Sequence, residues 1–240
     1  MNVRILALTL GVATLAATSA IAATGTGYTL FGRATYVMPG NASNRAVQLI
    51  SDLSNANPAD DFSGIDFAVP AGMTFNSLSD LATDYKFTAN SCGGGSPRFQ
   101  INIGGVNAFV YIGPPPNYTA CPQNVWSNTG NLATPAGFID TSQLPGGTMY
   151  DTFAAARIKY GTMEITGIQL VADAGWAFPS GVQTVLIDNT QINSTLYPYE
   201  PKSEEDCMDG GWRNFTSAPG PFKNQGQCVS HFASEGHGNH

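Results

Sequence analysis

The chain is poor in charge and in histidine. Only 11% of its 240 residues are charged, 17 acidic against 10 basic, which gives a formal net charge of −7. The basic residues form no cluster that would hold a phosphate backbone or an anionic membrane surface, so nucleic acid is not an expected partner. All the histidines, His231, His237 and His240, fall in the tail. The main part of the chain therefore has no base for a Ser-His-Asp or Cys-His nucleophile system.

Long hydrophobic runs are missing after the N-terminus. Residues 1–22 have the pattern of a signal peptide, with Arg4 before an apolar stretch and a small-x-small site that ends at Ala22. The apolar stretch is shorter than the roughly 20 residues that span a bilayer, and no second one follows. We expect cleavage after Ala22, no membrane insertion thereafter, and a secreted protein that is extracellular or periplasmic.

Cysteine is scarce and never occurs in C-x-x-C spacing. Four cysteines in an exported chain indicate two disulfides rather than metal ligands. Three pairings can be drawn, and proximity in the sequence favours Cys92–Cys121 and Cys207–Cys228. Each bond would contribute about 3 kcal/mol in the chain-entropy account.

Short β-like runs recur along the chain, separated by Gly, Pro, Asn and Ser. They occupy residues 27–38, 45–51, 64–69, 84–89, 97–103, 107–113, 163–173 and 183–193. This spacing predicts an all-β fold, an antiparallel β-sandwich in residues 23–196. Only 77–82 and 148–160 are predicted to be helical, the second because Ala154 to Ala156 are strong helix formers.

The composition changes near residue 197. Residues 197–206 contain proline and charge without periodicity, and we interpret them as a linker. Residues 207–230 have too few aliphatic side chains for an independent core, so we predict a small appendage that the Cys207–Cys228 bond holds together. Residues 231–240 are predicted to be a disordered tail.

The most informative stretch is PRFQINIGGVNAFVYIG, residues 97–113. A two-residue turn at Gly104-Gly105 would pair its halves so that one face carries only apolar side chains. The opposite face would then combine planar hydrogen-bonding groups with aromatic rings: Arg98, Gln100, Asn102, Phe109 and Tyr111. In 163–173 the apolar phase shifts across Gly167, which predicts a β-bulge there.

This hairpin face suits carbohydrate. Sugar rings present apolar C–H faces and hydroxyl groups, so their sites combine aromatic rings with amide, carboxylate or guanidinium partners. Trp126 and Trp176 lie in loop-like sequence and are further ligand-binding candidates, and the alternative that each covers an end of the sandwich stays open. For Arg98, a buried pairing with an aspartate is the alternative.

Carboxylates allow two other interpretations. Glu164 with Asp173 or Asp188 could form the pair that a glycoside-active enzyme needs. Asp173 and Asp188 could instead cap turns or bind a structural calcium ion through hard oxygen ligands. The sequence indicates no other cofactor.

The segments FGRATYVMPGNASNRAVQLISD, SGIDFAVP and GVQTVLIDNTQIN resemble the strand order and terminal strand of jelly-roll carbohydrate-binding modules, over about residues 27–193. The resemblance implies two antiparallel sheets, frequently a structural calcium, and ligand binding on a concave sheet face or in end loops. It assigns no particular binding residue. The tail GGWRNF…PFKNQGQCVS resembles a C-terminal segment that recurs in exported prokaryotic proteins, and it implies no activity.

Together these patterns predict a secreted, non-catalytic β-sandwich that binds carbohydrate or another extracellular surface component. One alternative is a structural or protein-interaction component of the cell surface that docks through residues 207–230. The other is a glycoside-active enzyme that uses Glu164.

Overall fold

The chain forms an antiparallel β-sandwich, as predicted. The computed structural model describes residues 27–216 and 218–236, so the predicted signal peptide at 1–22 lies outside the described residues. In these ranges two antiparallel sheets pack face to face, with short helices at their edges. No helix in the described part of the chain is long and apolar enough to cross a membrane.

The strands of the described residues are mostly short. In chain order they are β1 (Tyr28–Gly32), β2 (Thr35–Val37), β3 (Ala46–Asp52), β4 (Ser63–Phe67), β5 (Leu81–Ala89), β6 (Arg98–Ile103), β7 (Val106–Tyr111), β8 (Ser127–Asn128), β9 (Phe138–Ile139), β10 (Asp151–Thr152), β11 (Ile165–Ala172), β12 (Val182–Ile192) and β13 (Thr195–Tyr197). The first sheet has the order β1-β4-β11-β6-β7, and the second β2-β3-β12-β5-β8 with β13 beside β12. The chain crosses between the sheets repeatedly, as in a jelly roll.

The core forms because buried apolar residues alternate with more exposed residues along the strands. In β6, Phe99, Ile101 and Ile103 are buried while the residues between them are partly exposed. β12, at the centre of the second sheet, contributes Val185 and Ile187 from its inner face. Each such side chain contributes about 1.5–3 kcal/mol when it is fully buried.

Two predicted elements differ in the structure. The run 27–38 is divided between the sheets, because Gly32 adopts a φ of 61° and turns the chain from β1 to β2. In 77–82 only Ser77 is helical, as the last residue of a 3-10 turn, and Leu81 already belongs to β5. The backbone N–H groups of Ser79 and Asp80 donate to Asn193 Oδ1, at 2.8 and 3.2 Å, so they form no helical hydrogen bonds.

Helices occupy the edges and the C-terminus. The α-helices are α1 (Phe153–Tyr160) and α2 (Gln225–Gly236), and 3-10 turns occur at Pro58–Asp60, Phe75–Ser77, Gly175–Ala177 and Glu204–Asn214. α1 confirms the helix predicted in 148–160. It begins after Thr152, whose hydroxyl accepts the Ala155 N–H and caps the first turn.

Both predicted disulfides form. Cys92–Cys121 joins the start of the hairpin to the loop after it, and Cys207–Cys228 joins the 3-10 segment Glu204–Asn214 to α2. Around the second bond, Phe215, Phe222 and Phe232 form a small core separate from that of the sandwich. We call residues 204–236 the appendage.

The segments around the appendage are more ordered than predicted. The predicted linker 197–206 runs against the sandwich, and Tyr199 within it is fully buried among the aromatic rings of the main core. α2 includes residues 231–236 of the predicted disordered tail, because Phe232 packs on Phe215 at a ring distance of 5.7 Å. Residues 237–240 lie outside the described part of the chain.

Candidate functional site

The hairpin has the register predicted from the sequence. Ile103 pairs with Val106 and Gln100 with Phe109. Gly104 and Gly105 have φ values of 60° and 83°, the left-handed conformation that a two-residue turn needs at both positions. The apolar face of the hairpin is buried and the polar-aromatic face lies on the outside of the first sheet.

Strand order extends this face across the sheet. The register aligns six side chains in one lateral row, one from each neighbouring strand and the last from the residue after β9: Thr29, Asp66, Gln169, Gln100, Phe109 and Asp140. Gln100 Nε2 donates to Gln169 Oε1 at 3.2 Å. Burial raises the pKa of Asp66, and a hydrogen bond from Gln169 partly offsets that rise. We call this set the lateral row.

A depression opens beside the lateral row. Its volume is about 220 Å³, and it is lined by Asp66, Gln100, Asn102, Thr166, Gly167 and Gln169. The predicted β-bulge is present, since the pairing of β11 with β6 shifts between Ile165 and Gly167. Because Gly167 has no side chain, the floor of the depression stays open there. Thr166 Oγ1 donates to Asn102 Oδ1 at 2.6 Å and orients the amide at its rim.

Arg98 is held in place on three sides. Its two terminal nitrogens donate to the two carboxylate oxygens of Asp173, each at 2.6 Å, and Nη1 also donates to the Gly95 carbonyl at 3.2 Å. Its guanidinium lies over the Phe109 ring at 4.9 Å. Arg98 therefore lies on the hairpin face and forms the pairing with an aspartate that was the alternative for it.

Aromatic rings continue the face beyond the hairpin. Phe109 and Tyr111 stack at 6.3 Å with an interplanar angle of 19°, and Tyr118 contacts Tyr111 at 5.2 Å. The Tyr111 hydroxyl donates to Asp140 Oδ2 at 2.6 Å. Burial, together with the carboxylate of Asp140, raises the pKa of Tyr111 well above its ordinary value, so this hydroxyl stays protonated.

β9 widens the face at the outer edge of β7. Phe109 and Asp140 exchange both backbone hydrogen bonds, at 2.8 and 2.9 Å. Phe138 lies two residues before Asp140 and therefore on the same side of the strand. It is exposed and contacts the Tyr150 ring edge-on at 6.3 Å.

The two tryptophans lie on different sides of the sandwich. Trp176 is 64% exposed in the turn Gly175–Ala177, and its ring lies 3.0 Å from where a Cβ would stand on Gly94, close to Arg98. Trp126 comes just before β8 in the second sheet, with Lys86 Nζ 6.0 Å from its ring. The structure therefore brings Trp176 near the hairpin face and leaves Trp126 away from it.

The carboxylates proposed for glycoside chemistry do not meet. Glu164 and Asp173 flank opposite ends of β11, about 30 Å apart at the usual rise per strand residue, whereas paired glycosidase carboxylates are within about 10 Å. Asp173 is bound to Arg98. Asp188 lies in the other sheet, at the centre of β12. The structure therefore does not bring Glu164 and Asp173 together.

The same placement separates the two calcium candidates. Asp173 and Asp188 belong to different sheets, and the Asp188 oxygens accept hydrogen bonds from Ser43 Oγ and from the backbone N–H groups of Asn41 and Asn189. Among the described residues, no group of three or more His, Cys, Asp or Glu side chains could hold a metal ion. The structure therefore does not bring Asp173 and Asp188 to one site.

Several residues of the face were not identified from the sequence. Asp66, Gln169, Phe138 and Asp140 come from parts of the chain far from the hairpin, and Tyr118 comes from the loop that follows it. The only local signal was alternation in GIDFAV and GIQLVA, which places Asp66 and Gln169 on the side of their strands opposite the core.

The comparisons with known proteins are weak. No family model matches the chain, and none of the curated proteins matches it. Among solved structures, an exo-beta-agarase is similar over 72% of this chain with 12% identity and a TM-score of 0.36, and the match spans only 24% of the agarase. The xyloglucanase domain of NopAA, a type three effector from Sinorhizobium fredii in complex with cellobiose, is similar over 70% of this chain and 94% of its own, with 11% identity and a TM-score of 0.26. Both neighbours are carbohydrate-active, and likenesses at this level leave the function to the geometry of the site.

Proposed function

We propose that the protein binds carbohydrate, without catalysis, on the outer face of its first sheet. The lateral row is the observation that supports this proposal. It places a carboxylate, two carboxamides and an aromatic ring on adjacent strands, about 4.8 Å from one to the next, beside a depression open at Gly167. An aromatic ring next to amide and carboxylate groups suits the apolar face and the hydroxyl groups of a sugar.

The amides of the lateral row retain capacity for a ligand. A carboxamide offers about four hydrogen-bonding positions. Within the described residues, the contacts above occupy one position on Gln100 and two on Gln169. Both side chains are partly exposed, so a ligand could reach the remaining positions. A sugar that displaces water from these positions would replace the hydrogen bonds of that water. Polar groups in a binding site need such replacement, because an unpaired donor or acceptor costs free energy.

Variants of the lateral row test this proposal. We expect calorimetric titration with a panel of polysaccharides to detect binding, and we expect Gln100→Ala and Phe109→Ala each to weaken it about tenfold, because each removes roughly 1–2 kcal/mol of contact. Trp126→Ala is the matched control, since Trp126 belongs to the other sheet, and it should leave the affinity unchanged. Binding that the two row variants leave intact, or that Trp126→Ala abolishes, would place the site elsewhere.

We further propose that the protein is secreted, extracellular or periplasmic. The two disulfides support this, because such bonds persist in oxidising compartments. The signal-peptide pattern of residues 1–22 points the same way. Cell fractionation and mass spectrometry of the mature N-terminus test the proposal, and a chain retained in the cytoplasm with residues 1–22 intact would contradict it.

A second candidate role is docking to the cell surface through the appendage. The appendage has its own aromatic core around a disulfide and is joined to the sandwich by an ion pair between Arg45 and Asp206 at 2.6 Å. An ordered unit of this kind suits an attachment function. A chain that ends at residue 203 should keep its sugar binding and lose surface retention if this role is correct, and retention equal to that of the full chain would exclude it.

A further inference from the structure

The face that carries the lateral row has one basic side chain, and the protein uses it internally. The strands β1, β4, β6, β7 and β11 contain a single Lys or Arg, Arg98. Its fork is fully engaged by Asp173, one side of it lies against Phe109, and its side chain is only 15% exposed. A bidentate pair of this kind is among the strongest and most directional in proteins. Asp173 therefore compensates the positive charge of Arg98 within the protein.

Two carboxylates on the same face have no cationic partner. Asp66 is exposed, second from one end of the lateral row beside Thr29, and its contact there is the amide of Gln169. Asp140, at the other end, accepts from the Tyr111 hydroxyl and from the Ser142 N–H. Across residues 27–216 and 218–236, neither Asp66 nor Asp140 forms an ion pair with Lys or Arg. The row thus carries two negative charges, Asp66 beside Thr29 and Asp140 at the far end, and no positive charge between them.

We propose that this face selects uncharged glycans over glycans that carry carboxylate or sulfate groups, and that Asp173 sets this selectivity by holding Arg98 in an internal ion pair. The inference rests on the carbohydrate-binding function proposed above. A uronate or sulfate 4 Å from Asp66 or Asp140 would meet a repulsion of about 1 kcal/mol in water and about 4 kcal/mol near a protein surface. The hydroxyl groups of a neutral sugar can donate to the exposed carboxylate of Asp66, whereas Asp140, which is 4% exposed, acts through its charge. Asp173 acts here as a positioning residue, through Arg98.

Matched pairs of polymers test the selectivity. The probes are hydroxyethylcellulose with carboxymethylcellulose, agarose with a sulfated carrageenan, and unsubstituted xylan with glucuronoxylan, all at one ionic strength with a chelator to prevent bridging by divalent cations. We expect the neutral member of at least one pair to bind at least tenfold more tightly than its charged counterpart. A charged member that binds as tightly as the neutral one overturns the selectivity and leaves the carbohydrate-binding function standing. Binding of no member of any pair overturns both.

Asp173→Asn tests the role of the ion pair. This change keeps the shape of the side chain and removes its charge, so Arg98 becomes an uncompensated cation on the face. We expect affinity for the charged polymer to rise about tenfold while affinity for the neutral polymer changes less than threefold. A purely structural role for Asp173 would lower both affinities together. Asp52→Asn, which removes the partner of Arg33 from the edge of the other sheet, is the control and should leave the ratio unchanged.

A second variant keeps the test decisive if Asp173→Asn does not fold. Asp66→Asn removes one carboxylate from the lateral row and does not contact Arg98. Both affinities can change, since Asp66 belongs to the row, but the ratio should move at least threefold toward the charged polymer. An unchanged ratio in both folded variants would overturn the electrostatic basis of the selectivity.

Discussion

The pKa of the Asp188 carboxyl group is set mainly by burial. It has no exposed surface at the centre of β12, and its oxygens accept from Asn41, Ser43 and Asn189. Burial raises its pKa from 3.8 to about 6. The three hydrogen bonds act in the opposite direction, and the neighbouring Asp84 adds to the rise. In the folded protein this carboxyl group therefore takes up a proton at a higher pH than it does in the unfolded chain.

This raised pKa predicts a pH-dependent stability. The folded state binds the proton more tightly, so the contribution of Asp188 is fully present below about pH 4 and is lost as the pH rises through about 6. The loss is about 3 kcal/mol in the free energy of unfolding. Denaturant titrations from pH 4 to 7 should show this fall in the wild type and a flatter curve for Asp188→Asn. Glu205→Gln, at an exposed carboxyl group, should follow the wild type. Parallel curves for wild type and Asp188→Asn would contradict the prediction.

For single residues, the sequence predicted which face of a strand a side chain occupies better than it predicted which residues that side chain contacts. Arg98, Gln100 and Phe109 were placed on one face because strand alternation is a local property. Asp66 and Gln169 could not be added to them, since their positions in the lateral row depend on the order of β4, β11 and β6 in the sheet. Asp173 was assigned to a turn cap, to calcium or to catalysis, although its partner Arg98 was already a named candidate, because a single sequence does not show which charged residues meet.

Among the elements, the hairpin of β6 and β7 depends on its turn. Gly104 and Gly105 both have positive φ, and a Cβ on Gly105 would meet open space, so only backbone conformation opposes a side chain there. A Cβ on Gly104 would stand 2.9 Å from Cε of Met163, the far end of a flexible side chain. The two positions therefore differ in surroundings and share the same backbone requirement.

We predict that Gly105→Ala lowers the free energy of unfolding by about 1–2 kcal/mol, because alanine must adopt the left-handed conformation. This corresponds to a fall of about 2–8 °C in melting temperature for a domain of this size. Gly104→Asn is the comparison, since asparagine tolerates this conformation and is favoured at the first position of such turns. Calorimetry should show a smaller loss for Gly104→Asn. Equal losses at both positions would indicate that contacts, and not backbone conformation, set the cost.

The elements themselves were predicted with uneven success. Long alternating runs such as those of β6, β7 and β12 were identified because their period is clear over six or more residues. The division of 27–38 into β1 and β2 was missed, since local periodicity does not tell which sheet a strand joins. The spacing of Leu78 and Leu81 imitated a helix, but both are buried in the sandwich and Leu81 begins β5.

For the whole molecule, Arg45 and its neighbour Asn44 join the appendage to the sandwich, and Asn44 Nδ2 donates to the Ala218 carbonyl at 2.9 Å. Arg45 precedes β3, and its guanidinium donates to the Tyr199 and Glu200 carbonyls and to Asp206 Oδ1. It also lies over the Tyr36 ring at 4.0 Å. The ion pair with Asp206 is largely buried, with side-chain exposures of 11% and 20%. Residues 197–206 are therefore fixed by the sandwich, although their composition suggested a linker.

This connection predicts a local loosening on its removal. Arg45→Met keeps the apolar stem and leaves Asp206 Oδ1 and the two carbonyls without this donor, which should cost about 3 kcal/mol. Asp206 Oδ2 keeps its hydrogen bonds from Lys202 and Ser203. Hydrogen exchange in 199–206 should then accelerate about a hundredfold, while the disulfide-bonded core of the appendage keeps its protection. Arg33→Met removes an ion pair of similar length that is more exposed, at 38% for Arg33, and should cost less than about 1 kcal/mol. Equal exchange in wild type and Arg45→Met would show that the aromatic packing of Tyr199, and not the arginine, holds the appendage in place.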